Sequence, residues 1–156
     1  MAEHRQVHVR VDDWEAEVDA EIAPLIEEIW RAGLWTWNSC QDCVAGRVWI
    51  EFACVEEGQR FLEMVAAVYD GDPWSLYQRI RCHWTPGDVD WEIFERDHQW
   101  HYEAVSPRDD NVVFDLEQAA DLEVLGPPSI RFSLSVRFPR SDLDEVYRRL
   151  QAFNRP

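Results

Sequence analysis

Lysine is absent. All 15 basic residues are arginine, they face 31 aspartates and glutamates, and the net charge is −16. Arginine-only basicity is what codon bias in a GC-rich genome produces. The acidic balance excludes the basic footprint that a duplex-DNA or RNA binder needs to displace counterions. It also argues against anionic lipid. No nucleic acid and no membrane is therefore expected as a partner. An acidic chain can instead mimic nucleic acid and block a DNA-binding protein, but here the acids are interleaved with apolar residues. Also missing is any apolar run near the roughly 18 residues of a membrane span. The opening MAEHRQVHVRVDDWE has no hydrophobic leader segment, and the expected location is cytoplasmic. Glycine-rich phosphate loops and the HExxH, GxSxG and Walker patterns are absent too. Their absence removes the best-marked nucleotide, metalloprotease and serine-hydrolase chemistries.

What is present is apolar and aromatic. Hydrophobic residues make up 46% of the chain and aromatics 13%, with nine tryptophans, which is the opposite of a disordered composition. Residues 1–156 read as one domain. At that length folding removes roughly 70% of the unfolded surface, enough for a core without disulfides or metal.

Periodicity orders the elements. Val7, Val9 and Val11 alternate with His8 and Arg10, a half-buried strand. Asp12, Asp13, Glu15 and Glu17 read as a solvated entry to a helix carrying Val18, Ile22, Leu25, Ile26 and Ile29, with Pro24 in its first turn. Gly33 is its natural stop. Leu34 to Cys40 and Arg47 to Ala53 read as two antiparallel strands joined by a hairpin loop, Gln41 to Gly46. Val48, Ile50 and Phe52 share the core face, and Trp49 and Glu51 the other. A helix from Val55 to about Tyr69 carries Phe61, Leu62, Val65 and Val68. Trp74 to Trp84 fits either a short helix or a strand. Val89, Trp91 and Ile93 form one alternating run and Trp100 and Tyr102 another, with Arg96-Asp97-His98 as the turn of a second hairpin. Ser106 to Pro128 is acidic and loop-rich. Ile130 to Phe138 alternates as a long strand, and Ser141-Asp142-Leu143-Asp144 opens a helix in capping-box style. Hairpins with about three helices on one face make an α+β two-layer sandwich, mainly antiparallel.

Four cysteines, Cys40, Cys43, Cys54 and Cys82, are expected reduced in the cytosol. Cys40-x-x-Cys43 has half the spacing of a zinc knuckle, and a closed site needs a second pair. Cys82-His83 are adjacent and diverge in a strand. His98-x-x-His101 suits better, but nothing ties it to the first pair. A thioredoxin-type pair uses a helix N-terminus to lower its thiol pKa, whereas this one lies between strands beside Asp42. No metal and no cofactor is therefore expected. A cysteine nucleophile at Cys40 with His8, His83, His98 or His101 as base stays open as an alternative, with nothing local to choose among the histidines. Glu51 and Asp42 are the nearest candidates for paired acid–base work.

The run Gly33-x-x-Thr36-x-x-Ser39-Cys40-Gln41-Asp42, with Gly46 and then Trp49-Ile50-Glu51-Phe52, resembles a group of small uncharacterised bacterial and phage proteins. The resemblance covers about residues 15 to 70. It implies that Ser39 to Asp42 form one unit that does not include Cys43, and it transfers no activity.

Tryptophan density near polar turns is the remaining signal. By alternation Trp49 and Glu51 lie on a sheet face that helices do not cover, and an exposed aromatic patch calls for a cover, a partner or a ligand. The function expected is a non-catalytic module binding a small molecule or a protein partner, with Trp37, Ser39, Cys40, Gln41, Asp42, Trp49 and Glu51 as the ligand-binding set. A cysteine enzyme, a zinc-stabilised structural domain and an acidic nucleic-acid mimic are the alternatives. Within the set, Cys40 is expected to point inward near Phe61 or Leu62, with Ser39, Gln41 and Asp42 bonding the backbone groups freed by the loop.

Overall fold

The computed structural model describes residues 3–44, 46–84, 98–105 and 132–156. Its first unit is a β-hairpin. β1 (Gln6–Val11) pairs antiparallel with β2 (Trp14–Asp19), and Asp12 makes the turn at φ 53°, a left-handed conformation that Asp tolerates better than most residues. Of the acids expected to form an entry loop, Asp12 and Asp13 make the hairpin turn and Glu15 and Glu17 lie in β2. Trp14, Ala16 and Val18 alternate with Glu15 and Glu17, and those glutamates flank His8 across the ladder at 3.3 and 3.1 Å. Such exposed pairs stabilise little but fix register.

The helix begins later than its apolar spacing suggests, as α1 (Ala23–Arg31) with Pro24 in the first turn. It ends as expected. Gly33 sits at φ 78°, its N–H reaches Trp30 O, and the Leu34 N–H reaches Ile29 O. Those two bonds and the buried Leu34 make a Schellman stop.

β3 (Thr36–Val44) and β4 (Arg47–Phe52) follow, then α2 (Val55–Val65) and α3 (Leu76–Trp84). α2 stops short of its expected end near Tyr69, and Val68 is exposed. α3 resolves the ambiguity at Trp74 to Trp84 in favour of helix. β5 (His101–Val105), β6 (Ser133–Pro139), a 3₁₀ turn (Arg140–Asp142) and α4 (Leu143–Asn154) complete the order. The capping box is not used: Asp142, not Ser141, is the N-cap, and its carboxylate does not cap the helix. The expected strand at Val89 to Ile93, most of the second hairpin and the Ser106 to Pro128 segment lie outside the described residues.

The strands form a two-stranded sheet and a four-stranded antiparallel sheet ordered β3-β4-β6-β5, so the fold is α+β. α2 lies on β4 and β6, α4 packs against α1 and α2, and α3 reaches β5. Val48, Ile50 and Phe52 of β4, Leu134, Val136 and Phe138 of β6, Phe61, Leu62 and Val65 of α2, and Trp100 are all buried between the layers. At Gly58 the helix and sheet nearly touch. A Cβ there would lie 2.4 Å from Leu134 Cδ2 and 2.7 Å from Leu134 Cβ. Gly58→Ala should therefore lower stability. Overpacking costs about 1–3 kcal/mol, more than the about 1 kcal/mol that helix propensity returns. Urea unfolding checks this, with a lowered midpoint expected.

Candidate functional site

The Ser39 to Asp42 segment is not a hairpin tip. It runs inside β3, which continues to Val44, and Gly46, at φ 75°, lies in the turn that follows. The ladder with β4 shifts register between Cys40 and Val44, and this bulge is how β3 outlasts its expected end. Asp42 does serve the turn, as its Oδ1 accepts the Gly46 N–H at 2.7 Å. Gln41 serves something else. Its Oε1 accepts the Glu21 N–H at 3.0 Å, and its own N–H donates to Asp19 Oδ2 at 3.0 Å. Both bonds tie β3 to the end of the first hairpin. Ser39 makes no side-chain hydrogen bond among the described residues; its N–H donates to Asn38 Oδ1.

Cys40 is opposite Trp49 in register, on the sheet face away from Val48, Ile50 and Phe52. The expectation that it points inward near Phe61 or Leu62 is therefore wrong. The two register shifts in β3, which no periodicity reveals, change which face its residues take. The Cys40 thiol instead converges with His4 and Asp19. One ligand-type atom from each of these three residues lies within 4.8 Å of the other two. Asp19 is buried and His4 and Cys40 are half-buried. His4 Nδ1 lies 3.4 Å from Gln41 Nε2. The expected base candidates omitted His4, and His8 is held instead by Glu15 and Glu17. Cys82 and His83 lie in α3 rather than a strand.

The other cysteine with a definite setting, Cys54, is the N-cap residue of α2. A helix N-terminus ordinarily favours a thiolate. Here burial, with Glu56 and Glu57 adding to it, pushes the thiol up.

The uncovered sheet face is a second locus. Cross-strand pairing lines up Cys40, Trp49, Arg137 and His101 on four successive strands. The next row holds Asn38, Glu51, Ser135 and Glu103. Trp49 Nε1 donates to Ser135 Oγ at 2.7 Å, and Ser133 Oγ donates to Glu51 at 2.8 Å. Glu51 and Asp42 thus hold separate partners and do not form an acid–base pair. A cleft of about 410 Å³ opens on this face, lined by Val44, Arg47, His101, Glu103, Ser135 and Arg137, with Tyr102 beside them. One Arg47 N–H donates to Gln99 O at 2.9 Å, across the sheet's end.

Among the described residues the tryptophans do not gather here. Trp14, Trp30 and Trp35 form their own cluster between the first hairpin and α1, with centroids 4.4 to 6.4 Å apart. Trp30 Nε1 donates to Thr36 there. Trp100 is in the core. Trp37 is 65% exposed and gives its N–H to Ala53 O; of the expected aromatic set, Trp49 shares the open face, opposite Arg137 in register, without lining the cleft itself. Arg47 and Arg137 were within reach of the sequence, since each alternates onto the Trp49 face. His101 was not, because its place depends on β5 pairing with β6. In comparisons with family models, curated proteins and solved structures, nothing matches this chain.

Proposed function

We propose that the protein is a non-catalytic cytoplasmic module that binds a small anionic molecule on its open sheet face, with Arg137, Arg47 and His101 facing the anion and Trp49 flanking the site as the cross-strand neighbour of Arg137. The supporting observation is Arg137. Its side chain is exposed and takes no carboxylate among the described residues, although acids outnumber arginines 31 to 15. Arg31, Arg79, Arg140, Arg149 and Arg155 each hold one. A guanidinium presented in a concave site matches carboxylate or phosphate in bidentate fashion. The cleft volume lies within the range of small-molecule sites. Glu103 gives the cleft one acceptor for a hydroxyl or amine on the same ligand.

Tryptophan fluorescence and calorimetric titration with inorganic phosphate, citrate and nucleoside monophosphates test this. At least one should bind with a salt-sensitive affinity. Arg137→Gln should weaken it about 10- to 100-fold, because a charged hydrogen bond contributes about 1.5–3 kcal/mol. Equal binding by the variant, or no binding by any of these anions, would refute the reading.

A further inference from the structure

The three most buried carboxylates in the described residues are Asp19, Glu28 and Asp142. Glu28 is met by Arg31 and Arg155, both at 3.1 Å. Asp142 is met by Arg79. Asp19, 5% exposed, has no arginine among the described residues. It accepts one backbone N–H, from Gln41, and a longer bond from Gln6 Nε2 at 3.5 Å. A buried charge is ordinarily paired or coordinates a metal. The side chains that converge on Asp19 are a thiol and an imidazole.

From this convergence we propose that His4, Asp19 and Cys40 form a zinc site with three protein ligands and a fourth position open to water. Sulfur, nitrogen and oxygen together suit zinc rather than magnesium or calcium. Around tetrahedral zinc the donors lie about 2.0–2.3 Å from the ion, so they must stand close to one another, as these do within 4.8 Å. A Cys–His–Asp relay needs a different shape: thiol and carboxylate sit on opposite ring nitrogens, with the imidazole between them. Here all three donors are mutually close, and His4 forms no ion pair with Asp19 among the described residues. One thiolate, one carboxylate and one neutral imidazole leave the site with no net charge once Zn²⁺ is bound. Binding releases the Cys40 proton to solvent, so affinity rises with pH. Gln41 supports two of the ligands, through its N–H to Asp19 and its carboxamide beside His4. The ligands come from the segment before β1, the end of β2 and the middle of β3, so the ion would tie the first hairpin to the main sheet. The site does not depend on anion binding in the cleft.

The test uses the untagged chain, stripped with chelator and titrated with zinc chloride and, separately, with cobalt(II). A single ion per chain is expected, with thiolate-to-cobalt charge-transfer absorption and tetrahedral d–d bands. His4→Ala and Cys40→Ser should each lower affinity at least about tenfold, and Cys43→Ser should leave it unchanged. His4 lies outside the regular elements, so its variant should fold and report on binding alone. Zinc should also raise the thermal midpoint of the parent chain and not of His4→Ala. Absence of the charge-transfer band, or retention of affinity in His4→Ala, overturns the site. So does loss of binding in Cys43→Ser, which would assign the metal to the Cys40-x-x-Cys43 pair.

Discussion

Trp100→Ala should be the most damaging single substitution in the described core. Trp100 is fully buried. Its ring stacks on Phe138 at 4.5 Å between centroids and on Phe61 at 6.3 Å. Truncating a buried aromatic of this size costs about 3–5 kcal/mol through lost transfer energy and the cavity left behind. A second loss adds to it. Trp100 Nε1 donates to Asp142 Oδ2 at 3.0 Å, and the substitution removes a donor from a buried carboxylate, which costs about 1–3 kcal/mol. Marginal domains have roughly 5–15 kcal/mol to lose. Trp100→Phe keeps one six-membered ring in the core and removes the N–H together with part of the indole, so it gives an upper bound on what the bond to Asp142 contributes. Equilibrium denaturation should place Trp100→Phe between the parent and Trp100→Ala. Equal stability of Trp100→Phe and the parent would mean that the bond to Asp142 contributes nothing.

Arg79→Met should cost nearly as much, and its deficit should depend on pH. Arg79 pairs with Asp142 where both side chains are largely shielded, 12% and 9% exposed. Removing one partner of a buried pair typically costs about 3–5 kcal/mol, because the other charge is left uncompensated. In the parent protein burial pushes the Asp142 carboxyl above its ordinary value, against the opposing pull of Arg79 and of the Trp100 N–H. The native state therefore holds a proton more readily than the unfolded chain. Between the unfolded and folded pKa values the native state binds more protons, so this group's contribution to stability falls as pH rises and recovers on acidification. Without Arg79 the downward pull is gone and the folded pKa moves further up. The gap between Arg79→Met and the parent should thus narrow as pH is lowered from neutral towards 4 to 5, roughly where an unperturbed Asp begins to titrate. A gap that stays constant or widens on acidification would show that Arg79 acts through packing and not through charge. Among the described residues the buried Arg79 Nε has no hydrogen-bond partner.

The legible parts of the fold are those where one period runs without interruption. Val48, Ile50 and Phe52, and Leu134, Val136 and Phe138, alternate cleanly and occupy the core as expected. Gly33 marked a helix end because only a left-handed residue fits there. The illegible parts are those where two periods compete or where long-range pairing decides. Val18, Ile22, Leu25 and Ile29 keep helical spacing, yet Val18 belongs to β2, whose own alternation of Trp14, Ala16 and Val18 is completed by β1 across a two-residue turn. The capping-box spacing makes Ser141 the expected cap, but Asp142 takes the N-cap position and its carboxylate is held by Arg79 and Trp100 from distant segments. The same reason hides the candidate sites. Cys40 was visible as a singular residue, but His4 and Asp19 reach it only through the first hairpin, 21 to 36 positions away in sequence. Arg137 and Trp49 were each visible on an open face, and only strand order makes them neighbours of His101.

The last strand of the sheet in sequence, β6, lies in its interior, between β4 and β5. That placement has a consequence during synthesis. When β4 leaves the ribosome, its far edge exposes unpaired amides and carbonyls, and some eighty residues must be made before β6 can occupy it. Until then the close fit of Gly58 against Leu134 of β6 is missing, and α2 has only β4 to pack on, through Phe52 against Phe61. Its partner α4 comes later still, and Asn154 reaches back 126 positions to the buried Glu28. Closure of such non-local contacts is slow, and an open strand edge beside a bare apolar face is what other nascent chains pair with. The chain therefore passes through its most aggregation-prone state while still tethered to the ribosome. The molecule's large net negative charge keeps such intermediates apart through mutual repulsion.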